Sequence, residues 1–182
     1  VNQLGSHHLV DGYIHKHIER ILQLPLVDVE AIRKANFKIV VDAVNSTGGI
    51  AVPALLKALG VENIIELYCT PDGKFAHNPE PLPENLRDLS EEVIRKKANL
   101  GISVDPDVDR LALVCEDGEM FGEEYTLVSV ADYILKHTPG PTVSNLSSTQ
   151  ALREVAAKAG QHHYSSAVGE VNVVEEMKKQ GA

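Results

Sequence analysis

Tryptophan is absent from this 182-residue chain, and the other aromatics come to five tyrosines and three phenylalanines. A core built with so few rings must be aliphatic, drawn from Val, Leu, Ile and Ala. Only two cysteines occur, Cys69 and Cys115, each at the end of an apolar run. Two isolated cysteines make no disulfide framework, and both are expected to be buried, reduced thiols in a cytoplasmic protein. No run approaches the ~20 apolar residues that span a bilayer, and no signal-like stretch is visible, so no membrane partner is expected. Positive charge is also scarce: 17 Lys and Arg stand against 26 Asp and Glu, a formal net charge of −9. Without a basic stripe to meet phosphates along a backbone, nucleic-acid binding is not expected. What remains is an ordinary globular composition, 43 % hydrophobic and 24 % charged, of a length that suits one domain or one domain and part of another.

The hydrophobic pattern alternates between two periods. "FKIVVDAV" (37–44) is a β-branched run and reads as a buried strand. "GGIAVPALLKALG" (48–60) reads as a helix with Pro53 in its first turn, where a missing N–H costs little. "NIIELYC" (63–69) is a second strand, and "LSEEVIRKKA" (89–98) a helix that Ser90 would cap. "LGISVD" (100–105) is a third strand. "RLALVCEDGEMF" (110–121) reads as a hairpin with an Asp-Gly turn, and "EEYTLVSVADYILKH" (123–137) as a long amphipathic helix. "TPGPT" (138–142) breaks the pattern, after which strand and helix signals restart. Ahead of all this, "YIHKHIERILQL" and "LVDVEAIRKAN" read as two helices separated by Pro25.

The expected fold is therefore α/β: a three-layer α/β/α domain with a mixed, largely parallel sheet, followed by the opening of a second, similar domain. The divisions are 1–36, a helical lead-in or remnant; 37–138, the main domain; and 141–182, the start of the second. A βαβα unit lacking its next strand buries its apolar faces poorly, so the chain is expected to continue past Ala182.

"GISVDPDVDRLALV" (101–114) carries Asp105, Asp107 and Asp109 at alternate positions, with Arg110 directly after them. In an extended segment the three carboxylates would share one face, about 7 Å apart from one to the next. Pro106 blocks a helix there. A hard dication relieves such repulsion, and Mg2+ takes oxygen ligands while keeping places for water or a phosphate. The preceding strand ends where open α/β sheets place ligands. An EF-hand fits less well: Asp105, Asp107, Asp109 and Glu116 match positions 1, 3, 5 and 12, but Arg110 stands where the loop needs glycine, and the flanks are strand-like. A solvated acidic turn, a structural Ca2+ or partner-contact loop, and a phosphatase-like loop with Asp105 as nucleophile remain open.

"SVDPDVDRLALV" and "EDGEMFGEEYTLVSVADYIL" together resemble the metal-binding loop and following segment of the α-D-phosphohexomutase superfamily. "KIVVDAVNSTGGIAVPALLKALG" is similar to the opening of that family's second domain, "PDGKFAHNPEPLPENLRDL" to the loop after it, and "VSNLSSTQAL" through "SAVGEVNVVEEM" to the start of the third domain. The phosphoglucomutase/phosphomannomutase branch fits best. The resemblance implies an intramolecular phosphotransferase: a phosphoserine donates its phosphoryl group to a hexose phosphate, and the bisphosphate reorients and returns the other group. It implies Mg2+ on Asp105, Asp107 and Asp109, Arg110 beside the transferring phosphoryl group, Gly169 and Glu170 near the sugar, and a phosphosugar substrate in the full-length enzyme. The family's serine loop, Ser-His-Asn-Pro or a close variant, has no match here: Ser6 lacks the Asn-Pro, and His77-Asn78-Pro79 lacks the serine. The 182 residues are thus expected to be inactive alone.

Other polar groups take simpler readings. Asn45, Ser46, Thr47, Gly48 and Gly49 form a strand-to-helix turn, read as a cap with a weak resemblance to a phosphate cradle. Ser147 and Ser148 read as helix caps, and His77 as a surface histidine. His15 and His17, two residues apart, do not align on a helix face and are discounted as ligands.

Overall fold

The structure is a computed structural model that describes residues 5–182. After residues 5–12, which have no regular structure, come α1 (Tyr13–Leu22) and α2 (Val29–Ala35). Asp28 caps α2, its carboxylate accepting the Ala31 N–H at 2.9 Å. Residues 1–4 of the N-terminal lead-in lie outside the described residues.

The main domain follows as β1 (Lys38–Asp42), α3 (Gly48–Ala58), β2 (Asn63–Leu67), α4 (Arg87–Lys96), β3 (Leu100–Val104), β4 (Leu111–Cys115) and α5 (Glu123–His137). The four strands lie in the order β2-β1-β3-β4, with β1 parallel to both neighbours and β4 antiparallel to β3. The strand period of two divides β1 between two cores. Ile39 and Val41 face Leu56 of α3 and Val61. Val40 faces the other way, into a cluster with Leu86, Leu89, Val93, Ala98, Ala112 and Val114 around α4. Burying each of the Val, Leu and Ile side chains contributes about 1.5–3 kcal/mol. Helices on both faces of a mixed, largely parallel sheet make the expected three layers. The chain moves from β1 outward to β2 and then crosses back over β1 to β3. The strand order therefore reverses between β1 and β3, and the loops leaving their carboxyl ends emerge side by side, as at other ligand-binding crevices.

The second unit consists of β5 (Thr142–Asn145), α6 (Ala151–Lys158), β6 (His163–Ser166) and α7 (Glu170–Gln180). Its two strands pair in parallel, and α5 packs against α6.

Several local expectations are corrected. Pro53 lies in the second turn of α3, because the helix begins at Gly48 directly after Thr47. Ser90 is not a cap: α4 begins at Arg87 with Leu86 before it, and Leu86 and Leu89 are buried in one core, which extends the helix toward its N-terminus. Strand β2 stops at Leu67 because Tyr68 turns into the left-handed region at φ 51°. The return strand of the hairpin is reduced to a single bridge between Val114 and Met120, since the chain turns away at Gly122, φ 95°, to start α5. Both cysteines are free, as expected, but half-buried and not enclosed.

Candidate metal centre

Strand β3 delivers its last residues into the crevice with Val104 and Asp105 both buried. The next residues do not stay extended as expected. They turn: the Val108 N–H donates to the Asp105 carbonyl at 3.2 Å, and Val108 adopts φ 64°. This turn, not the pleat of a strand, gathers the acids. One carboxylate oxygen from each of Asp105, Asp107 and Asp109 lies within 4.8 Å of the others. Their surroundings differ. Asp105 is buried, whereas Asp107 and Asp109 are exposed. With β3 on one side of the loop and β4 on the other, the helical flanks of an EF-hand are absent.

The electrostatics register the crowding. Burial works against the Asp105 carboxylate, but the Arg110 N–H at 3.0 Å and hydrogen bonding to Asp109 and Asp107 hold it below its ordinary range. Asp109 is pushed up, first by sharing a hydrogen bond with Asp105 and then by the charges of Asp107 and Asp105. Three carboxylates this close do not all ionise freely without a cation. The donor set is oxygen only, which suits a hard dication such as Mg2+ and not a thiolate- or imidazole-seeking metal.

Arg110 begins the return toward β4. Its guanidinium pairs with the Glu80 carboxylate, and its Nε lies 4.0 Å from both Asp105 Oδ2 and Asp109 Oδ1. An ion pair of Arg110 with its aspartate neighbours is thus present but secondary to Glu80. Beside this cluster lies a cleft of about 460 Å3, lined in part by Glu80, Asp109, Arg110, Leu111, Met120 and Thr126.

Three supporting contacts were not legible as such in the sequence. Ser46 Oγ and Thr47 Oγ1 donate to the Pro106 carbonyl at 2.7 and 2.9 Å, so this turn neither caps α3 through its side chains nor cradles an anion with these hydroxyls. His77 is no surface histidine: its Nε2 lies 3.0 Å from Oδ2 of Asp42, a side chain with no exposure. Glu80 sits on the same loop as His77, its N–H held by Asn78 Oδ1 at 3.2 Å. The only available signal was "HNPEP", an unusual density of polar groups and prolines between two apolar segments.

Family models of the phosphoglucomutase/phosphomannomutase α/β/α domains match this chain, domain II over residues 13–118 and domain III over residues 122–182. The chain belongs to the phosphoglucomutase/phosphomannomutase family. It is 35 % identical over 170 residues to a "Probable phosphoglucosamine mutase" of Methanopyrus kandleri, covering 92 % of this chain and 36 % of that protein. It is 34 % identical to a phosphoglucomutase/phosphomannomutase of Thermococcus kodakarensis, covering 94 % and 37 %. Among solved structures, a phosphoglucomutase/phosphomannomutase family protein of Burkholderia thailandensis matches with a TM-score of 0.76 and 28 % identity, over 93 % of this chain and 36 % of that one. The chain therefore spans little more than a third of the length of these relatives. The α/β/α architecture and the superfamily read from the acidic loop are those that the comparisons return.

The other residues singled out for the phosphoglucomutase/phosphomannomutase site lie elsewhere. Gly169 and Glu170 are at the carboxyl end of β6, where Gly169, φ 118°, leads into α7 and Glu170 opens its first turn. Among the described residues no hydrogen bond or ion pair joins them to the acidic loop. Ser147 and Ser148 do not cap α6. Both hydroxyls donate to Asn145 Oδ1, and Thr149 Oγ1 receives the Ala151 N–H instead, because the chain makes an extra turn before the helix starts. Among the described residues no helix is long and apolar enough to cross a membrane.

Proposed function

We propose that this chain supplies the metal-binding and phosphoryl-contacting part of an intramolecular phosphotransferase that interconverts 1-phospho and 6-phospho hexoses. One observation carries the reading: three carboxylates converge within 4.8 Å at the end of β3, directly before an arginine, in a chain of this family. Asp105, Asp107 and Asp109 hold Mg2+, which when bound offsets negative charge on the phosphoryl group. Asp105 is the anchor of the set, ionised and fixed by the Arg110 N–H. Arg110 presents its guanidinium to the transferring group, a planar partner suited to phosphate oxygens. Glu80 keeps that side chain at the mouth of the cleft until an anion competes for it. Phosphoryl transfer demands positioning and charge neutralisation above all, and these residues provide both.

The donor is a phosphoserine. It passes its phosphoryl group to the free hydroxyl of the hexose phosphate and recovers the other group from the bisphosphate. No serine precedes His-Asn-Pro among the 182 residues, so the chain alone turns over nothing. Gly169 and Glu170 face the sugar in the assembled enzyme, which works in the cytoplasm on a small-molecule phosphosugar.

The test is a coupled assay of glucose 1-phosphate and mannose 1-phosphate with a bisphosphate activator, using the protein that carries this chain. Turnover is expected with Mg2+, lost on chelation and restored by Mg2+. A rate indifferent to chelation, or cation binding with no turnover on any hexose phosphate, contradicts the proposal. The second outcome would leave a non-catalytic cation-binding domain.

A further inference from the structure

Pro106 stands between two of the clustered aspartates, and its carbonyl oxygen receives two side-chain hydrogen bonds, from Ser46 Oγ at 2.7 Å and Thr47 Oγ1 at 2.9 Å. Neither hydroxyl does the usual work of its position. Thr47 occupies the N-cap of α3 yet makes no side-chain cap, and the N–H groups of Gly49, Ile50 and Ala51 go to backbone carbonyls. A carbonyl has two lone pairs, and here both face a hydroxyl of the β1–α3 turn.

The turn that supplies the hydroxyls is itself held. Val44 and Asn45 adopt φ 46° and 55°, which swings Ser46 toward β3. Asn45 is tied to the loop after β2: its N–H donates to the Tyr68 carbonyl at 2.6 Å, and its Nδ2 to the Lys74 carbonyl at 3.0 Å. Close approach of the two loops depends on Gly48, where a Cβ would fall 2.5 Å from Val104 Cγ2 and 3.6 Å from Val108 Cγ2. Since β1 and β3 are neighbours with Asp42 opposite Ser103, this contact crosses the place where the strand order reverses.

We infer that Ser46 and Thr47 are positioning residues for the acidic loop: their joint grip on Pro106 sets Asp105 and Asp107 at ligand spacing before a cation arrives. The inference rests on the reading of the acidic loop as the cation site, and it adds a role for two residues outside the acidic triad, through their bonds to the Pro106 carbonyl. Groups of this kind around metal ligands commonly affect affinity by about 10–100-fold.

The test uses Mn2+ as probe, with free ion read by electron paramagnetic resonance, on the full chain at a temperature where every variant is folded. A Ser46→Ala, Thr47→Ala double variant is expected to bind Mn2+ about tenfold more weakly, and the exchanged pair Ser46→Thr, Thr47→Ser to recover most of that loss. In cation-free protein, amide hydrogen exchange at Val108 and Arg110, whose N–H groups bond Asp105, is expected to quicken in the double variant while the β1 amides hold. Mn2+ affinity within twofold of the parent overturns the inference. Should the double variant fail to fold, the single variants serve, each expected to lose about threefold, and no loss in either overturns it. If the parent chain binds no Mn2+ that Asp107→Asn abolishes, the functional reading has failed. The exchange data then decide the loop contact alone: faster exchange supports it, and unchanged exchange overturns it.

Discussion

The imidazole of His77 bridges a buried carboxylate and a backbone carbonyl: its Nε2 lies 3.0 Å from Asp42 Oδ2, and its Nδ1 2.8 Å from the Asn78 carbonyl. A carbonyl only accepts, so Nδ1 carries a proton. One proton is then shared between Nε2 and Oδ2. Burial raises Asp42 above the ordinary carboxylate range, opposed in part by the Val44 N–H at 3.0 Å and by His77. This contact fastens the loop that bears Glu80 to the end of β1, beside the acidic loop.

Asp42→Asn preserves that geometry. Its Oδ1 still receives the Val44 N–H, and its Nδ2 donates to a neutral His77. Thermal stability equal to the parent or above is expected at neutral pH, whereas Asp42→Ala strands two polar partners and is expected to cost about 1–3 kcal/mol. The pH sign follows from the raised folded value. With Asp42 raised above 3.8, the proton between the two side chains is lost from the folded pair, and the parent loses stability, as pH rises through that folded value. Melts across pH 4–8 are expected to show the advantage of Asp42→Asn growing with pH. An Asn variant as damaged as the Ala variant would contradict the shared-proton arrangement.

His163 has the opposite dependence. Burial, then Arg153, lower its imidazole below the ordinary 6.5, and Thr142 Oγ1 lies 3.0 Å from its Nδ1. On acidification the unfolded chain takes up this proton before the fold does, so stability falls as pH drops below about 6.5. Denaturant midpoints at pH 7.5 and 5.5 are expected to differ more in the parent than in His163→Gln. An equal difference would contradict this.

Gly49 allows no side chain. A Cβ there would collide with the Cys69 carbonyl oxygen, a backbone atom that cannot swing aside. Gly49→Ala is expected to destabilise by about 1–3 kcal/mol by overpacking, with the same fold by circular dichroism. A neutral result would mean that α3 slides freely on the β2 loop.

Cation binding by this chain is expected to be weak. Two of its three carboxylates are exposed, and Mg2+ sheds water reluctantly, so calorimetry should give a dissociation constant on the order of millimolar. Submicromolar binding would indicate a different kind of site.

The parts legible in the sequence were those set by local pattern. "FKIVVDAV" announced a buried strand because three consecutive β-branched residues meet core on both faces of β1. The acidic loop stood out because three aspartates within five residues are costly anywhere without a purpose. Two kinds of feature were not legible. Helix starts at Arg87 and Ala151 went to residues other than the nearest serines, because core burial at Leu86 and Leu89, and the Asn145 turn, outweighed local capping preference. Contacts between distant loops were the second kind. Ser46 and Thr47 meet Pro106 across some sixty positions, Asp42 meets His77 across 35 and Glu80 meets Arg110 across 30. No single-sequence pattern encodes such pairings. They arise because β1, β2 and β3 are parallel and release their loops at one end of the sheet.

The most direct measurement is the turnover of glucose 1-phosphate, or of whichever hexose phosphate the enzyme prefers, at saturating Mg2+, comparing the parent of this chain with Asp107→Ala. Asp107 is exposed on a turn, so the variant should fold normally by circular dichroism. Loss of one of three clustered carboxylates is expected to reduce turnover by about a thousandfold or more, since charge neutralisation carries most of a phosphoryl transfer. A folded Asp107→Ala enzyme working within a few-fold of the parent rate would contradict the assignment of the acidic loop as the metal centre of catalysis.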